Sequence, residues 1–280
     1  MDYGLSSRMA RMIRPSTGRS VMLACDHGYF MGPTRRLENP RNTIAPLVPY
    51  ADVVSVTRGV LRTCVDPKWE APILLRVSGG TSILQDDLSN EGITTSMKEA
   101  LRLNATAVSI SVFVGAPNEK QTLLNLGKLV DEGEDCGMPV MAITAVGKEL
   151  EKRDDRYLSL ACRIAAEIGA HMVKTYYCEG FSRVVDGCPV PLVVAGGPKL
   201  NTEADVFHLV HSAVAEGAVG VDMGRNIWQN DNPVAVIKAI DSLVHEDATE
   251  KEALEIFNSA KAKMEELATS PSARRSKTRR

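Results

Sequence analysis

Short runs of apolar residues alternate along this chain with longer stretches in which apolar positions return every three or four residues, a pattern that predicts strands separated by helices. Eight runs qualify: VMLACD (21–26), DVVSVT (52–57), PILLRVS (72–78), AVSISVFV (107–114), PVMAITA (139–145), HMVKTYY (171–177), PLVVAGG (191–197) and VGVDMG (219–224). A strand that is apolar at successive positions is buried on both faces, the situation of a parallel sheet covered by helices. The intervening TSMKEALRLN, KQTLLNLGKLVDEGEDCG, RYLSLACRIAAEIG and EADVFHLVHSAVAEG carry the helical period, and Gly137, Gly169 and Gly217 stand where a left-handed cap would end three of these helices. Eight strand–helix units favour a closed (β/α)₈ barrel, the TIM-barrel class of α/β fold, over an open doubly wound sheet. The open fold's G-x-G-x-x-G fingerprint is missing after the first strand, where VMLACDHGYFMG offers only Gly28 and Gly32.

This pattern divides the chain into an N-terminal extension (1–20), the barrel (21–246), a charged C-terminal helix (247–268) and a disordered basic tail (269–280). The helix lies within HEDATEKEALEIFNSAKAKMEEL and is expected against the barrel exterior or a neighbouring subunit. A length of 280 residues with 44% apolar content suits one barrel of about 250 residues. Net charge is −2, and the tail's Arg274, Arg275, Lys277, Arg279 and Arg280 account for +5, so the remainder stands at −7. Neither nucleic acid nor a membrane surface is indicated as the main partner. MDYGLSSRMARMIRP has no apolar leader segment, and no run has the length and composition to span a bilayer, so a soluble, cytoplasmic protein is expected. Six scattered cysteines, without a CxxC pair or a Cys/His cluster, point to free thiols and to no metal site.

A barrel places its chemistry at the C-terminal ends of its strands. The polar residues expected there are Asp26 and His27 after the first strand, Arg58 after the second, and Ser78, Gly79 and Gly80 after the third. Lys174 and Tyr176 lie on the sixth, Gly196 and Gly197 after the seventh, and Gly224 and Arg225 after the eighth. The last two groups predict a phosphate site, because glycines let the backbone approach an anion closely and an arginine can pair with its oxygens. Ordinary glycine turns beside a solvated arginine are the alternative. Lys174 interrupts a buried strand: either its head snorkels to water, or it is desolvated so that a neutral amine can form a Schiff base with a ketone. Asp26 is then the carboxylate for proton transfer or for holding the lysine, unless it merely caps the turn before Gly28. His27 reads more readily as structural. Cys178 could carry an acetyl group but is better read as an inert buried thiol.

The motifs ACDHG, SGG, VKTYY, GCPVPLVVAGGPK and GVDMGRNIWQ, in this order and spacing, resemble the class I aldolase family that includes archaeal-type fructose-bisphosphate aldolases and heptulosonate-forming, transaldolase-like enzymes. The resemblance covers roughly residues 5 to 246. It implies a barrel with Lys174 as Schiff-base lysine, Asp26 as the first-strand aspartate, phosphate loops at Gly196–Gly197 and Gly224–Arg225, and a large homo-oligomer such as a decamer. The aldolase branch carries a tyrosine acid/base near the end of the fifth strand, whereas AITAVGK aligns Ala145 there. This departure, with MAITAVGK and IAAE-GA…KTYY, is similar to a thiolase branch, in which coenzyme A as co-substrate removes an acetyl group from a phosphorylated dione and leaves dihydroxyacetone phosphate. Two alternatives stay open: an aldolase or transaldolase on sugar phosphates, and a sugar-phosphate-binding protein that has lost the chemistry.

Overall fold

In a computed structural model, which describes residues 2–145 and 153–269, each apolar run contains one strand of a single closed parallel barrel. The strands are β1 (Ser20–Ala24), β2 (Val53–Thr57), β3 (Ile73–Arg76), β4 (Ala107–Val112), β5 (Val140–Thr144), β6 (Met172–Tyr176), β7 (Leu192–Ala195) and β8 (Gly220–Met223). Consecutive strands pair, and β8 closes on β1 through Ser20↔Gly220 and Met22↔Asp222. The open doubly wound sheet is thereby excluded. Closure requires a close approach: a Cβ on Gly220 would lie 1.9 Å from the Ser20 carbonyl oxygen, so only glycine fits this seam.

Strand alternation splits the apolar core in two. Outward-facing residues such as Val21, Leu23, Val54, Leu75, Ile110, Val173 and Val194 pack beneath the surrounding helices. Inward-facing Met22, Val53, Leu74, Ala107, Met141, Met172 and Val193 fill the lower barrel, and Met12 of the helix Tyr3–Met12 joins them. This helix plugs the N-terminal end. From sequence this stretch is an N-terminal extension, although Leu5, Met9 and Met12 recur at helical spacing; a second visible signal is Asp2, whose carboxylate accepts from the Leu5 N–H at 2.7 Å. One layer higher, the same inward phase turns polar, with buried Ser55, Arg76, Ser109, Lys174 and Asp222.

Two strand ends differ from the sequence pattern. β4 stops at Val112 because the Phe113 N–H donates to Thr122 Oγ1 at 3.2 Å instead of to a neighbouring strand. β3 stops at Arg76, after which Ser78–Gly79 pairs antiparallel with Gly92–Ile93. Beyond the barrel the chain forms the helix Pro233–His245, breaks, and resumes as the helix Glu250–Thr269. Thr249 starts this last helix, its Oγ1 accepting from the Glu252 N–H while Glu252 accepts from the Thr249 N–H. The helix lies on the barrel's own exterior, with the Phe257 ring 6.0 Å from that of Phe207 in the helix Glu203–Ala215. From position 270 onward the basic tail lies outside the described residues. No helix among the described residues is long and apolar enough to cross a membrane, and all six cysteines are unbridged.

Asp52 ties the N-terminal segment to both the barrel and the helix Pro233–His245. Its carboxylate accepts from Arg14 Nε and Nη2 at 3.0 and 2.8 Å, from the Val21 N–H at 2.8 Å, and meets His245 Nε2 at 2.8 Å. Burial would raise this carboxyl, but the hydrogen bonds from His245, Val21 and Arg14 hold it below the ordinary carboxylate range. A depressed carboxyl stabilises the fold above its unfolded-state value near 4, and that contribution is lost as pH falls through the folded value. Asp52→Asn should therefore cost about 1.5–3 kcal/mol at neutral pH, the contribution of hydrogen bonds to a charged group. In thermal melts the gap between variant and wild type should narrow below about pH 4; a gap independent of pH would remove the carboxylate from this role.

Candidate active site

Lys174 and Asp222 reach the barrel interior from strands on either side of β7, facing each other beneath the C-terminal mouth. Both are buried, at 8% and 1% exposure, and Lys174 Nζ donates to Asp222 Oδ2 at 2.7 Å. A charge taken out of water requires a partner at this distance, and the lysine does not snorkel. Asp222 supplies what the sequence reading assigned to Asp26, the carboxylate that holds the lysine. The correction follows from topology: Asp222 lies within its strand at the lysine's level, whereas Asp26 lies two residues past the end of β1. Burial raises the Asp222 carboxyl above its ordinary value, with Lys174 opposing, and its Oδ1 is buried without a hydrogen-bond partner.

Asp26 lines the same cavity in a different environment. Its Oδ2 is 3.6 Å from Arg76 Nη1 and its Oδ1 is 3.7 Å from His27 Nδ1. Burial would raise the Asp26 carboxyl; neighbouring positive groups, namely His27 when protonated, Arg76 and Lys174, outweigh it and leave the group lowered. His27 is pushed by burial to about 4 and is neutral at physiological pH, its ring edge-on to Trp228 at 5.5 Å. Arg76 is itself anchored. Its Nη2 lies 3.0 Å from Glu91 Oε2, its Nε donates to the Ser78 carbonyl at 3.2 Å, and its guanidinium sits 4.3 Å from the centre of the Tyr29 ring. Tyr29 donates its hydroxyl to Glu91 Oε1 at 2.7 Å. The Arg76–Glu91–Tyr29 cluster was not singled out from sequence, although an arginine inside the apolar run PILLRVS is a visible signal.

The rim above Lys174 is formed by the loops that follow β7 and β8. Gly196, Gly197, Gly224 and Arg225 all line the cavity, together with Tyr176, which lies under the Arg153 guanidinium at 4.9 Å. A Cβ on Gly224 would meet the Ala24 carbonyl oxygen at 2.4 Å and His27 Cε1 at 2.7 Å, so the backbone turns here with no room for a side chain. Asn226, missed from sequence, clamps the two loops together: its Nδ2 donates to the Gly196 carbonyl at 2.7 Å, and its Oδ1 accepts from the Leu200 N–H at 2.8 Å. Arg225 is half-buried, burial lowers its guanidinium from the ordinary value, and no carboxylate among the described residues pairs with it. A cation so placed suits a phosphate. Arg225→Ala should weaken binding of a phosphorylated ligand by roughly 10- to 150-fold, the equivalent of about 1.5–3 kcal/mol, with less effect on turnover at saturation. Isothermal titration with dihydroxyacetone phosphate measures this, and equal affinities would place the phosphate elsewhere.

Four residues expected at the site, Arg58, Ser78, Gly79 and Gly80, stand apart from it. Arg58 is exposed at the start of the helix Arg58–Cys64 and does not line the cavity, because β2 ends at Thr57 and the chain turns outward into that helix. Ser78 and Gly79 lie behind the cavity wall. Ser78 Oγ is committed to Glu91 Oε2 at 2.7 Å and to the Ser111 N–H at 3.1 Å, and Gly79 is covered by the Tyr29 ring. They support Glu91 and Tyr29 rather than reach a ligand. Cys178 also lies off the cavity, and burial, with Asp155 and Glu216 adding, pushes its thiol up to about 11, which leaves little thiolate to carry an acetyl group. Among the described residues no group of three or more His, Cys, Asp or Glu side chains could hold a metal.

A parallel eight-stranded barrel with a buried lysine in its sixth strand defines the class, a TIM barrel of the aldolase type. The DeoC/LacD family aldolase model matches residues 20–230, and the chain belongs to this family. It is 50% identical over 262 residues to the 3-hydroxy-5-phosphonooxypentane-2,4-dione thiolase of Photorhabdus laumondii, covering 93% of this chain and 89% of that protein. It is 51% identical, with the same coverage, to the protein of that name from Escherichia coli K12. Among solved structures, an archaeal fructose 1,6-bisphosphate aldolase superposes with a TM-score of 0.78 at 27% identity, over 86% of this chain and 99% of that one. An archaeal fructose-1,6-bisphosphate aldolase whose catalytic lysine is covalently bound to the carbinolamine intermediate of its substrate superposes with a TM-score of 0.79 at 26% identity, over the same shares.

Proposed function

We propose that this protein is a thiolase that cleaves 3-hydroxy-5-phosphonooxypentane-2,4-dione with coenzyme A, giving acetyl-CoA and dihydroxyacetone phosphate through a Schiff base on Lys174. The observation that carries the reading is the desolvated Lys174–Asp222 pair beneath a phosphate-suited rim, in a chain half-identical to thiolases of that name. With the phosphate held by Gly196, Gly197, Gly224 and Arg225, the ketone carbon next to the phosphate-bearing carbon is C4, and Lys174 Nζ attacks it. The resulting iminium draws electrons from C3. Coenzyme A thiolate adds to C2, the C2–C3 bond breaks, acetyl-CoA leaves, and the electron pair enters the iminium to form an enamine. Protonation at C3 and hydrolysis release dihydroxyacetone phosphate and the free amine. Asp26, kept ionised by Arg76, stabilises the cationic nitrogen from across the cavity. No enzyme thiol takes part.

Ala145, at the end of β5, lines the cavity where the aldolase branch would place a phenol, which favours thiolysis over aldol cleavage. The six unbridged thiols suit a cytoplasmic setting, and the exposed Leu124 and Leu160 on the outer helices offer apolar surface for the homo-oligomer, a decamer by resemblance. Incubation with the phosphorylated dione and coenzyme A, followed by mass identification of the products, tests the reading. Acetyl-CoA with dihydroxyacetone phosphate is expected; an aldehyde in place of acetyl-CoA would leave the aldolase reading standing.

A further inference from the structure

Three carboxylates line the Lys174 cavity; Glu91 is tied to Arg76, Ser78 and Tyr29, while their surroundings tune Asp26 and Asp222 in opposite directions. Asp26 is held ionised between Arg76 and the lysine. Asp222 has no arginine in contact, lies deeper, and is raised by burial. Such a separation assigns an acid/base role to the raised group and an electrostatic role to the lowered one. Geometry points the same way: Asp222 Oδ2 is hydrogen-bonded to Nζ itself, while Oδ1 is buried and unpartnered beside it. The Tyr29 hydroxyl donates to Glu91, and Ala145 presents no phenol at β5.

We propose that Asp222 is a catalytic residue of the Schiff-base steps, the carrier that moves a proton between Lys174 Nζ and the oxygen of the reacting ketone. The inference rests on the Schiff-base reading above. In the resting pair Lys174 is an ammonium and Asp222 a carboxylate. Transfer of one proton from Nζ to Asp222 gives a neutral amine and a neutral acid, with no net charge moved out of the cavity. The amine's lone pair forms the N–C bond as the carbonyl π bond opens onto oxygen, and a second Nζ proton passes to that oxygen, giving the neutral carbinolamine. Asp222 then returns its proton to the hydroxyl; the C–O bond breaks, water leaves, and nitrogen's lone pair makes the iminium. The three protons that began on Nζ end as one on the iminium nitrogen and two in the water. Asp222 is again a carboxylate, paired with the new cation. Hydrolysis of the product enamine, once protonated, runs the same steps backwards.

Schiff-base formation can be isolated from acyl transfer by mixing the enzyme with dihydroxyacetone phosphate and excess borohydride, without coenzyme A, and timing the appearance of reduced adduct by mass. Asp222→Asn keeps the shape and a hydrogen bond to Nζ but cannot carry the proton, and trapping should slow by about 10²–10⁴-fold. Its affinity for inorganic phosphate should stay at the wild-type value, which a collapse of the cavity would not leave intact, while its thermal melt should fall because Lys174 loses its charged partner. Trapping as fast as wild type overturns the proposal. Should the variant fail to fold, the wild-type trapping rate in D₂O decides: a slower rate supports proton carriage in the limiting step, and an equal rate overturns it. The thiolase reading fails separately, if wild type traps dihydroxyacetone phosphate yet makes no acetyl-CoA from the dione.

Discussion

Lys174→Met should abolish both the borohydride-trapped adduct and product formation, with turnover falling on the order of 10⁶-fold, the lower end of what enzymes supply over the uncatalysed reaction. Methionine preserves much of the side-chain length and volume, so the loss reports on the amine. Removing the cation leaves Asp222 buried without its partner, and the raised carboxyl then takes up a proton instead of remaining charged, which limits the damage to the fold. Peptide mapping of the wild-type adduct locates the reacting nitrogen. Lys199 is the informative competitor, since it sits on the loop after β7, where its Nζ donates to the Leu200 carbonyl at 3.3 Å. Adduct mass on Lys199, or a Lys174→Met variant that still forms one, would overturn the assignment.

The barrel was legible because burial on both faces forces a strand to be largely apolar: β7 is apolar throughout, and β2 and β4 carry only the small Ser and Thr among their apolar positions. The plug helix Tyr3–Met12 was less so, because its apolar positions Leu5, Met9 and Met12 are set among Ser and Arg in a short helix that buries only Leu5 and Met12 fully. Within the site, Lys174 stood out as a charge inside a buried strand. The same rule applied to every run would also have raised Arg76 in PILLRVS and Asp222 in VGVDMG, because interior charges of opposite sign must meet. Asp222 is the less conspicuous of the two carboxylates because it lies within its strand, whereas Asp26 stands at a strand end, where a barrel places its chemistry. Glu91 was beyond reach: it arrives from an irregular loop, and no periodicity tells which loop carboxylate will meet Arg76 and Ser78. Arg58 misled for a related reason. A residue just past a strand can continue into the mouth, as Asp26 does, or turn out into a helix, and its type does not say which.

Fructose 1,6-bisphosphate should be cleaved very slowly by the wild-type protein, by about 10²–10⁴-fold relative to an enzyme carrying the strand-5 phenol, since that is the usual contribution of general acid–base assistance. Aldol cleavage must remove the proton of a substrate hydroxyl as the carbon–carbon bond opens. Among the described residues lining the cavity, Ala145 stands where that phenol would be, the Tyr29 hydroxyl is tied to Glu91, and burial pushes the His27 imidazole down to about 4, which makes it a weak base. Thiolysis makes no such demand. Its cleaved carbon is an acetyl carbonyl, the attacking group arrives as coenzyme A thiolate, and the departing electrons pass into the Lys174 iminium. Ala145→Tyr should therefore restore part of the fructose 1,6-bisphosphate cleavage and leave thiolysis no faster, because the new phenol assists only the reaction that transfers a hydroxyl proton. Assaying both reactions in both proteins separates the readings: brisk fructose 1,6-bisphosphate cleavage by wild type, with no response to coenzyme A, would make this chain an aldolase that finds its base elsewhere.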